Sequence, residues 1–358
     1  MRSFFNSPTW RRLKKNKGAL GGLIVIIISV IVAVFCYFIA PDASPYANRI
    51  ILEIGGQKPG FEKPFLLVRK EKPQQVSFFK RLVYGKPDVY DYIPINSFSE
   101  TKDSVIAFRY IDEDVSERIS YAKAALAVRP VVTHTYWLGT DSYGRDILSR
   151  LIVGTRVSLS VGMITVLISI SIGLVLGSLA GFYRGWVDEV IMWFINVIWS
   201  IPTLLLVFAI TLALGKGFWQ VFIAVGLTMW VNVARLVRGQ VLAVRELEYV
   251  EAARALGFRD MRIIAKHIWP NIVGPVLVIA AANFASAIVI EAGLSFLGVG
   301  VQPPMPSWGL MIKENYNFII TQNPMLALAP GFAIMLLVLA FNLLGNGLRD
   351  ALNVKGRL

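Results

Sequence analysis

The sequence predicts an all-α integral membrane protein with six transmembrane helices and a small α+β extracytoplasmic insert between helices 1 and 2. Three observations carry that reading. The 358 residues are 55% hydrophobic and only 16% charged, and the mean hydropathy of +0.59 lies outside the range of soluble globular domains. Six apolar runs approach or exceed the ~20 residues that cross a bilayer core as a helix. Between the first and second runs lies a long stretch, 41–156, too polar for hydrocarbon.

The elements follow in order. Residues 1–18 form a basic tail, and Ala19–Ala40 is the first span. A charged segment precedes it, as in a leader, but the apolar run exceeds the usual ~7–15 residues of a cleaved signal, so a retained helix is expected. Residues 41–133 are near charge balance, with strand-like runs at Phe65-Leu66-Leu67-Val68 and Ser104–Tyr110. Asp114–Ala127 reads as a helix with Val115, Ile119 and Ala122 on one side. Aromatic and β-branched residues are too frequent for a disordered loop. Residues 134–156 read as an outer interfacial elbow: a glycine-punctuated turn, then a short amphipathic helix. Ile147, Leu148, Leu151 and Ile152 would face lipid or protein, and Arg145, Asp146, Ser149 and Arg150 would face water. The remaining spans, within a core of 157–348, are Val157–Phe182, Val190–Leu214 (kinked at Pro202), Phe218–Val233, Val273–Ile290 and Leu326–Leu344. Residues 349–358 form a tail.

The net charge of +13 is not a nucleic-acid signal, because no basic patch interleaves with exposed aromatics. The excess gathers in the N-terminal tail (Arg2, Arg11, Arg12, Lys14, Lys15, Lys17) and in 235–271 (Arg235, Arg238, Arg245, Arg254, Arg259, Arg262, Lys266). The short outer loops hold only Lys216 and Lys313. By the positive-inside rule both termini are cytoplasmic. The single cysteine, Cys36, lies in an apolar run, and the two histidines are His134 and His267. Neither a disulfide, a thiolate nucleophile nor a histidine-rich metal site is expected.

The segment 235–271 carries too many charges for lipid yet is too regular for a connector. Tyr249, Ala252, Ala253 and Leu256 fall at i, i+3, i+4 and i+7, and Gly257 permits a sharp break. A second helix would start at Asp260 as N-cap, carry Met261, Ile264, Ala265 and Ile268 on one face, and stop at Pro270. Glu251-Ala252-Ala253, Gly257 and Ile268-Trp269-Pro270-Asn271 resemble the "EAA" loop of binding-protein-dependent ABC transporter permeases, with Trp269-Pro270 in place of the family's usual Leu-Pro. The resemblance implies a coupling helix that docks into a cleft of a separate ATPase subunit. Its contact residues would be Glu248, Tyr249, Glu251, Ala252, Ala253, Arg254, Leu256 and Gly257. A small apolar stripe with a charged rim suits such a groove.

Further matches are similar to the C-type subunit of the dipeptide/oligopeptide/nickel import group. They are Trp137–Asp146 with Gly154-Thr155-Arg156, then Glu291–Gly298 with Pro306-Ser307-Trp308-Gly309, and Leu328–Asn353. Two family aspartates appear here as Asn346 and Asn353, which puts in doubt any ion pair they make. The matches cover 138–353 and leave out the insert. They imply a type I ABC importer permease fold, an inner-membrane location, and an outer gate shaped by the Gly/Pro-rich connection near Glu291, Ser295 and Asn283. Glu291 either reaches water at the interface or lines the path for a cationic substrate terminus. Asn196, Asn232, Asn283 and Asn342 line a path or, as such groups more often do, bond helices together.

The chain has no G-x-x-x-x-G-K-[ST] phosphate loop, so ATP has to be bound elsewhere. Six spans are too few to enclose a path. The resemblance therefore implies one permease half of an ATP-driven importer for peptides. Its partners would be a second permease in a heterodimer, two ATPase subunits and an extracytoplasmic substrate-binding protein, within the lipid bilayer. No catalytic residue, cofactor or metal is expected. The alternative, a secondary transporter or channel, would need intramembrane carboxylates or an inverted repeat. An intramembrane enzyme would need a nucleophile and base inside the spans, and both histidines lie outside them.

Overall fold

The computed structural model describes residues 8–70, 76–112, 114–320 and 323–352. Arg2, Asn353 and the other tail residues beyond 352 lie outside the described residues. In chain order the helices and strands are α1 (Pro8–Lys15), α2 (Lys17–Val34), α3 (Cys36–Ile39), β1 (Phe61–Arg69), α4 (Phe78–Tyr84), β2 (Tyr90–Glu100), β3 (Ser104–Asp112), β4 (Val115–Ala122) and β5 (Leu126–Tyr136). Then come α5 (Ile147–Tyr183), α6 (Gly185–Trp199), α7 (Thr203–Leu214), α8 (Phe218–Val244), α9 (Glu248–Ala255), α10 (Asp260–Ile263), α11 (Trp269–Phe296), α12 (Trp308–Asn315) and α13 (Met325–Leu352). The chain divides into two compact units. One comprises Met1–Val30, Ser158–Gln302 and Ala333–Leu358, and the other Ile31–Val157 and Pro303–Phe332.

Among the described residues, the apolar helices long enough to span a bilayer are α2, α5, α8, the continuous run Asp260–Phe296 and α13. The expected third span is instead a broken pair: α6 and α7 meet at a 91° bend. Pro202 causes it, since proline offers no N–H to continue α6. It becomes the N-terminal residue of the next turn, accepting from the Leu206 amide at 3.0 Å. The fourth expected span also differs, because α8 runs on to Val244 instead of stopping at Val233. Its solvent-charged end stays helical because Val237 and Val241 remain buried.

Helices α5 and α8 touch along a stripe of glycines. A Cβ added at Gly173 would sit 2.5 Å from Val233 Cβ, one at Gly177 2.5 Å from the Ala234 carbonyl, and one at Gly181 2.8 Å from the Arg238 carbonyl. Small residues at every fourth position let two helix backbones approach closely where no hydrophobic force drives association. Around the end of this seam, Phe182, Val233, Val237 and Val241 join Ile263, Ile264, Ile268 and Ile272 in a buried cluster. The expected stop at Pro270 does not occur. A π-turn over Ile264–Ile268 precedes α11, with Pro270 in its first turn, so the missing proline donor is absorbed at a helix start.

The second unit holds, among the described residues, a five-stranded antiparallel sheet in the order β4-β3-β2-β1-β5. Phe65 and Leu66 are consecutive on β1 and point to opposite faces. Phe65 packs with Ile51, Ile54, Tyr110 and Tyr136, and Leu66 with Ile95, Val105, Ala107 and Leu126. The helix expected at Asp114–Ala127 is corrected to strand: β4 pairs with β3 from Asp112↔Val115 to Ser104↔Ala122. Val115, Ile119 and Ala122 fit a helical spacing. The alternation of Ile119 and Tyr121 with polar neighbours is the period-2 signal that prevails, and both pack on the Leu66 cluster. The α-helix of this unit's insert is α4, whose first turn is capped by Ser77 Oγ accepting from the Lys80 amide.

The elbow is a second correction. Its helix is not separate but the start of α5, and Arg145, Asp146, Ser149 and Arg150 are buried rather than facing water. Asp141 Oδ1 accepts from the Tyr143 and Arg145 amides, closing a turn in which Gly144 has φ +71° and abuts the Ile51 carbonyl. Only glycine meets both demands. Asp146 caps α5 through the Ser149 amide at 2.9 Å, and Ser149 Oγ accepts from the Asp42 amide at 2.8 Å. Arg145 donates to Asp141 at 2.7 Å and to Glu314 of α12 at 2.9 Å. Arg150, wholly buried, donates to the same Glu314 oxygen at 3.2 Å. Arg145 and Arg150 sit inside because both meet the Glu314 carboxylate, brought from another part of the chain, while Asp146 is held by the Ser149 amide and hydroxyl.

Two outcomes follow. Glu314→Ala leaves two buried guanidiniums short of an acceptor, a loss of about 3–5 kcal/mol for a broken buried pair. It is read as faster amide exchange across 137–157 and a lower unfolding temperature, and Arg150→Met on top of it restores part of the loss. His134 stands 6.0 Å from the Phe65 ring and 5.9 Å from Tyr92. Burial, then the Arg49 charge, holds its imidazole below its ordinary 6.5. Below 6.5 the unfolded strand takes up a proton that the folded one resists, so this stability is present above that pH and is lost as pH falls. Hydrogen exchange of β1 and β5 amides, corrected for intrinsic rate, will show more opening at about pH 5 than at about pH 7, and His134→Phe will flatten that difference.

Candidate functional site

Helix α9 is short, and it owes its position to what flanks it. The α8 helix ends at Val244, and the Leu247 carbonyl accepts the Val250 amide at 2.8 Å to start the new helix. Glu248 and Glu251 lie in its first turn and Arg254 in its last, each opposing the helix dipole. At the far end the Phe258 amide donates to the Ala253 carbonyl and the Gly257 amide to the Arg254 carbonyl, with Gly257 at φ +77°. This is a Schellman closure, which requires a left-handed residue at that position. Phe258, next in line, packs on the same cluster as Ala253.

The expected apolar stripe splits in two. Val250 and Ala253 are buried in the cluster of Val237, Val241, Ile263 and Ile268, so Ala253 is an inward anchor and not a presented residue. Tyr249 and Leu256 are 41% and 74% exposed, and Glu248, Glu251, Ala252, Arg254 and Gly257 are exposed with them. Partial burial pushes the Tyr249 phenol up. The stripe at Tyr249, Ala252 and Leu256 is therefore an unpartnered apolar ridge bordered by two carboxylates and a guanidinium. Along the second helix, Ile264 and Ile268 turn inward while Met261 and Ala265 stay exposed, because the π-turn shifts the faces.

Ionic contacts that the sequence reading missed hold this region. Arg238 makes a bidentate pair with Asp188, both contacts at 2.5 Å, and Arg184 reaches Glu246 at 2.6 Å. Arg245 donates to the Phe182 carbonyl, while the Arg254 guanidinium lies 5.4 Å from the Phe182 ring. Trp269 Nε1 donates to Ser178 Oγ at 3.0 Å, tying the start of α11 to α5. The only advance signal was the density of arginine near Asp188 and Glu246.

At the other end of α11, Glu291 is fully buried, which corrects the expectation of a carboxylate reaching water. Ser295 Oγ donates to Glu291 at 2.6 Å and accepts from the Val301 amide at 3.0 Å. The carboxylate thus sits behind a hydroxyl that fastens the turn after the helix. Asn283, on the same helix, is buried, and its amide nitrogen has no hydrogen-bond partner among the described residues. A nearby cavity of about 190 Å³ has other polar lining: Thr203, Thr228, Asn232 and Ser286, with Trp199 and Ile290. Asn196 accepts from Arg235 at 3.0 Å, the helix-bonding role. Among the described residues no cluster of His, Cys, Asp or Glu is arranged to hold a metal ion.

Residues 173–356, which include α9 and α11, match the family described as binding-protein-dependent transport system inner membrane component. Residues 6–54 match the N-terminal TM domain of oligopeptide transport permease C. The glutathione transport system permease protein of Pectobacterium atrosepticum is 46% identical over 220 residues, 62% of this chain and 73% of that protein. The dipeptide transport system permease protein of Alkalihalophilus pseudofirmus is 43% identical over 220 residues, 62% of this chain and 72% of that one. A chain of the inward-facing MetNI methionine ABC transporter superposes with a TM-score of 0.47 at 19% identity, over 56% of this chain and 95% of that chain. This chain belongs to the binding-protein-dependent transport system inner membrane component family, the multi-pass permeases of ABC importers.

Proposed function

We propose that this permease takes peptides across the inner membrane and is driven through α9 by ATP hydrolysis on a separate chain. The observation that carries the reading is the split of α9 into two faces. One face, Val250 and Ala253, is part of the packed cluster that includes α8 and the start of α11. The other, Tyr249, Ala252 and Leu256 with Glu248, Glu251 and Arg254 at its edge, is exposed. A push on the exposed face therefore moves a packed body rather than a loop, since interiors at native density transmit strain.

The basic residues 235–266 favour the cytoplasmic side for α9 and for both termini, which leaves the insert outside, where a substrate-binding protein would dock. With ATP bound elsewhere, two ATPase subunits and a second permease complete the assembly. Closure of the ATPases drives the two permeases between outward and inward access. Gly257 ends α9 so that the ridge keeps a fixed length, and Ala253 serves as its anchor. Glu291, through Ser295, fastens the outer turn. Peptide cargo is supported by the relatives, whose names specify glutathione and dipeptide transport.

The test separates docking from transmission. Leu256→Asp on the ridge weakens ATPase copurification at least tenfold, on the order of the 1.4 kcal/mol or more lost when an interface anchor is removed. Val250→Ala, behind the ridge, leaves copurification intact but lowers ATP-driven uptake per ATP hydrolysed. Normal copurification and uptake with both Leu256→Asp and Gly257→Asp would refute the reading.

A further inference from the structure

We propose that α4 is a lipid-seated helix, which lays Phe78, Phe79, Val83 and Tyr84 into the interfacial zone of the bilayer beside the end of α2. Its sequence, Phe78-Phe79-Lys80-Arg81-Leu82-Val83-Tyr84, is apolar apart from two adjacent cations. The named four side chains keep between 52% and 77% of their surface, so the helix is not held by burying them within the chain. Aromatic rings and basic stems on one short helix are the composition of the membrane–water boundary.

The geometry sets α4 at membrane level. Arg156 places one guanidinium among four carbonyls. Its Nε donates to Ala33 at 2.8 Å and its Nη2 to Val34 at 2.9 Å. Its Nη1 donates to Val83 at 2.9 Å and its Nη2 also to Leu82 at 2.8 Å. The C-terminal carbonyls of α2 and α4 are thus gathered at one point, a site that also suits a cation for the dipole of each helix. Helix α2 is among the most apolar segments of the chain, and only 17% of its apolar window is buried, so most of that surface is left uncovered by this chain. That surface runs on without a gap, since Phe35, Phe38 and Ile39 are exposed and the Phe38 and Phe78 ring centroids are 5.3 Å apart. Arg81 lies over the Phe38 ring at 4.4 Å, and with Lys80 it offers two cations to headgroup phosphates. Continuity with the lipid-facing flank of a span is what selects a bilayer as the occupant over water or a protein groove. The inference does not depend on how α9 is used.

The experiment places a nitroxide at Phe79→Cys, and separately at Val83→Cys, in the full chain with Cys36→Ala, the only native cysteine. The protein, with whatever subunits accompany it, is reconstituted in nanodiscs of phosphatidylcholine and phosphatidylglycerol. Collision rates are measured with oxygen and with a water-soluble nickel chelate. A label at Val128→Cys, 94% exposed on β5, gives the aqueous reference. The expected result is an oxygen-to-nickel ratio several-fold above the Val128 reference at both helix sites. A ratio equal to the reference would overturn the proposal in favour of water, and shielding from both reagents would overturn it in favour of a protein cover. The two positions are independent, so misfolding of one variant leaves the other to decide.

Discussion

The close approach of α5 and α8 is the constraint on which the first unit rests. Gly173, Gly177 and Gly181 leave no room for a Cβ against Val233, Ala234 and the Arg238 carbonyl. Everything further along the seam inherits that spacing. Phe182, the residue after Gly181, lends its carbonyl to Arg245 and its ring to Arg254. Val241, facing Gly181, belongs to the cluster that receives Val250 and Ala253. The place of α9 thus depends on glycines in a different helix, through packing and through the contacts of Arg245 and Arg254 with Phe182. In a bilayer such packing replaces the hydrophobic drive that would assemble helices in water.

The second unit is held differently. Beside its apolar clusters, it gathers charged groups whose partners come from chain segments far apart in sequence. Arg150 and Glu314 are separated by 164 residues, and Arg156 unites the ends of two helices whose own side chains never form the contact. In buried pairs of this kind, desolvation of the ions offsets much of their attraction.

What the sequence disclosed follows from this contrast. Hydropathy marked the apolar helices, because a span's signal is summed over many residues and needs no partner. The break near Pro202 was marked too, although not its right angle, which depends on the packing around it. The spacing of Gly173, Gly177 and Gly181 in α5 is visible in the sequence, but the helix it meets is not. Two failures have a common cause. The spacing in Val115–Ala122 fits helix and strand about equally well, and the spacing in Arg145–Arg150 gives a helix but not which face is covered. Their neighbours β3 and α12 decide, and they are not local. In α9 the residue types pointed to the right segment, but neighbouring Ala252 and Ala253 turn opposite ways, and a one-residue difference in facing is beyond a stripe read at i, i+3, i+4.

The right angle between α6 and α7 has a consequence for hydration. The two helices have 15 and 12 residues, hence lengths of about 22 and 18 Å, and neither alone crosses a ~30 Å hydrocarbon layer. In a span broken this way, a junction such as 200–202 offers open backbone that only protein or water can satisfy. The cavity lined by Thr203, Thr228, Asn232 and Ser286 adjoins that junction, and its hydroxyls and amide are the groups that hold water in an otherwise oily wall. The proline that breaks the helix thereby opens backbone beside the polar groups lining this cavity.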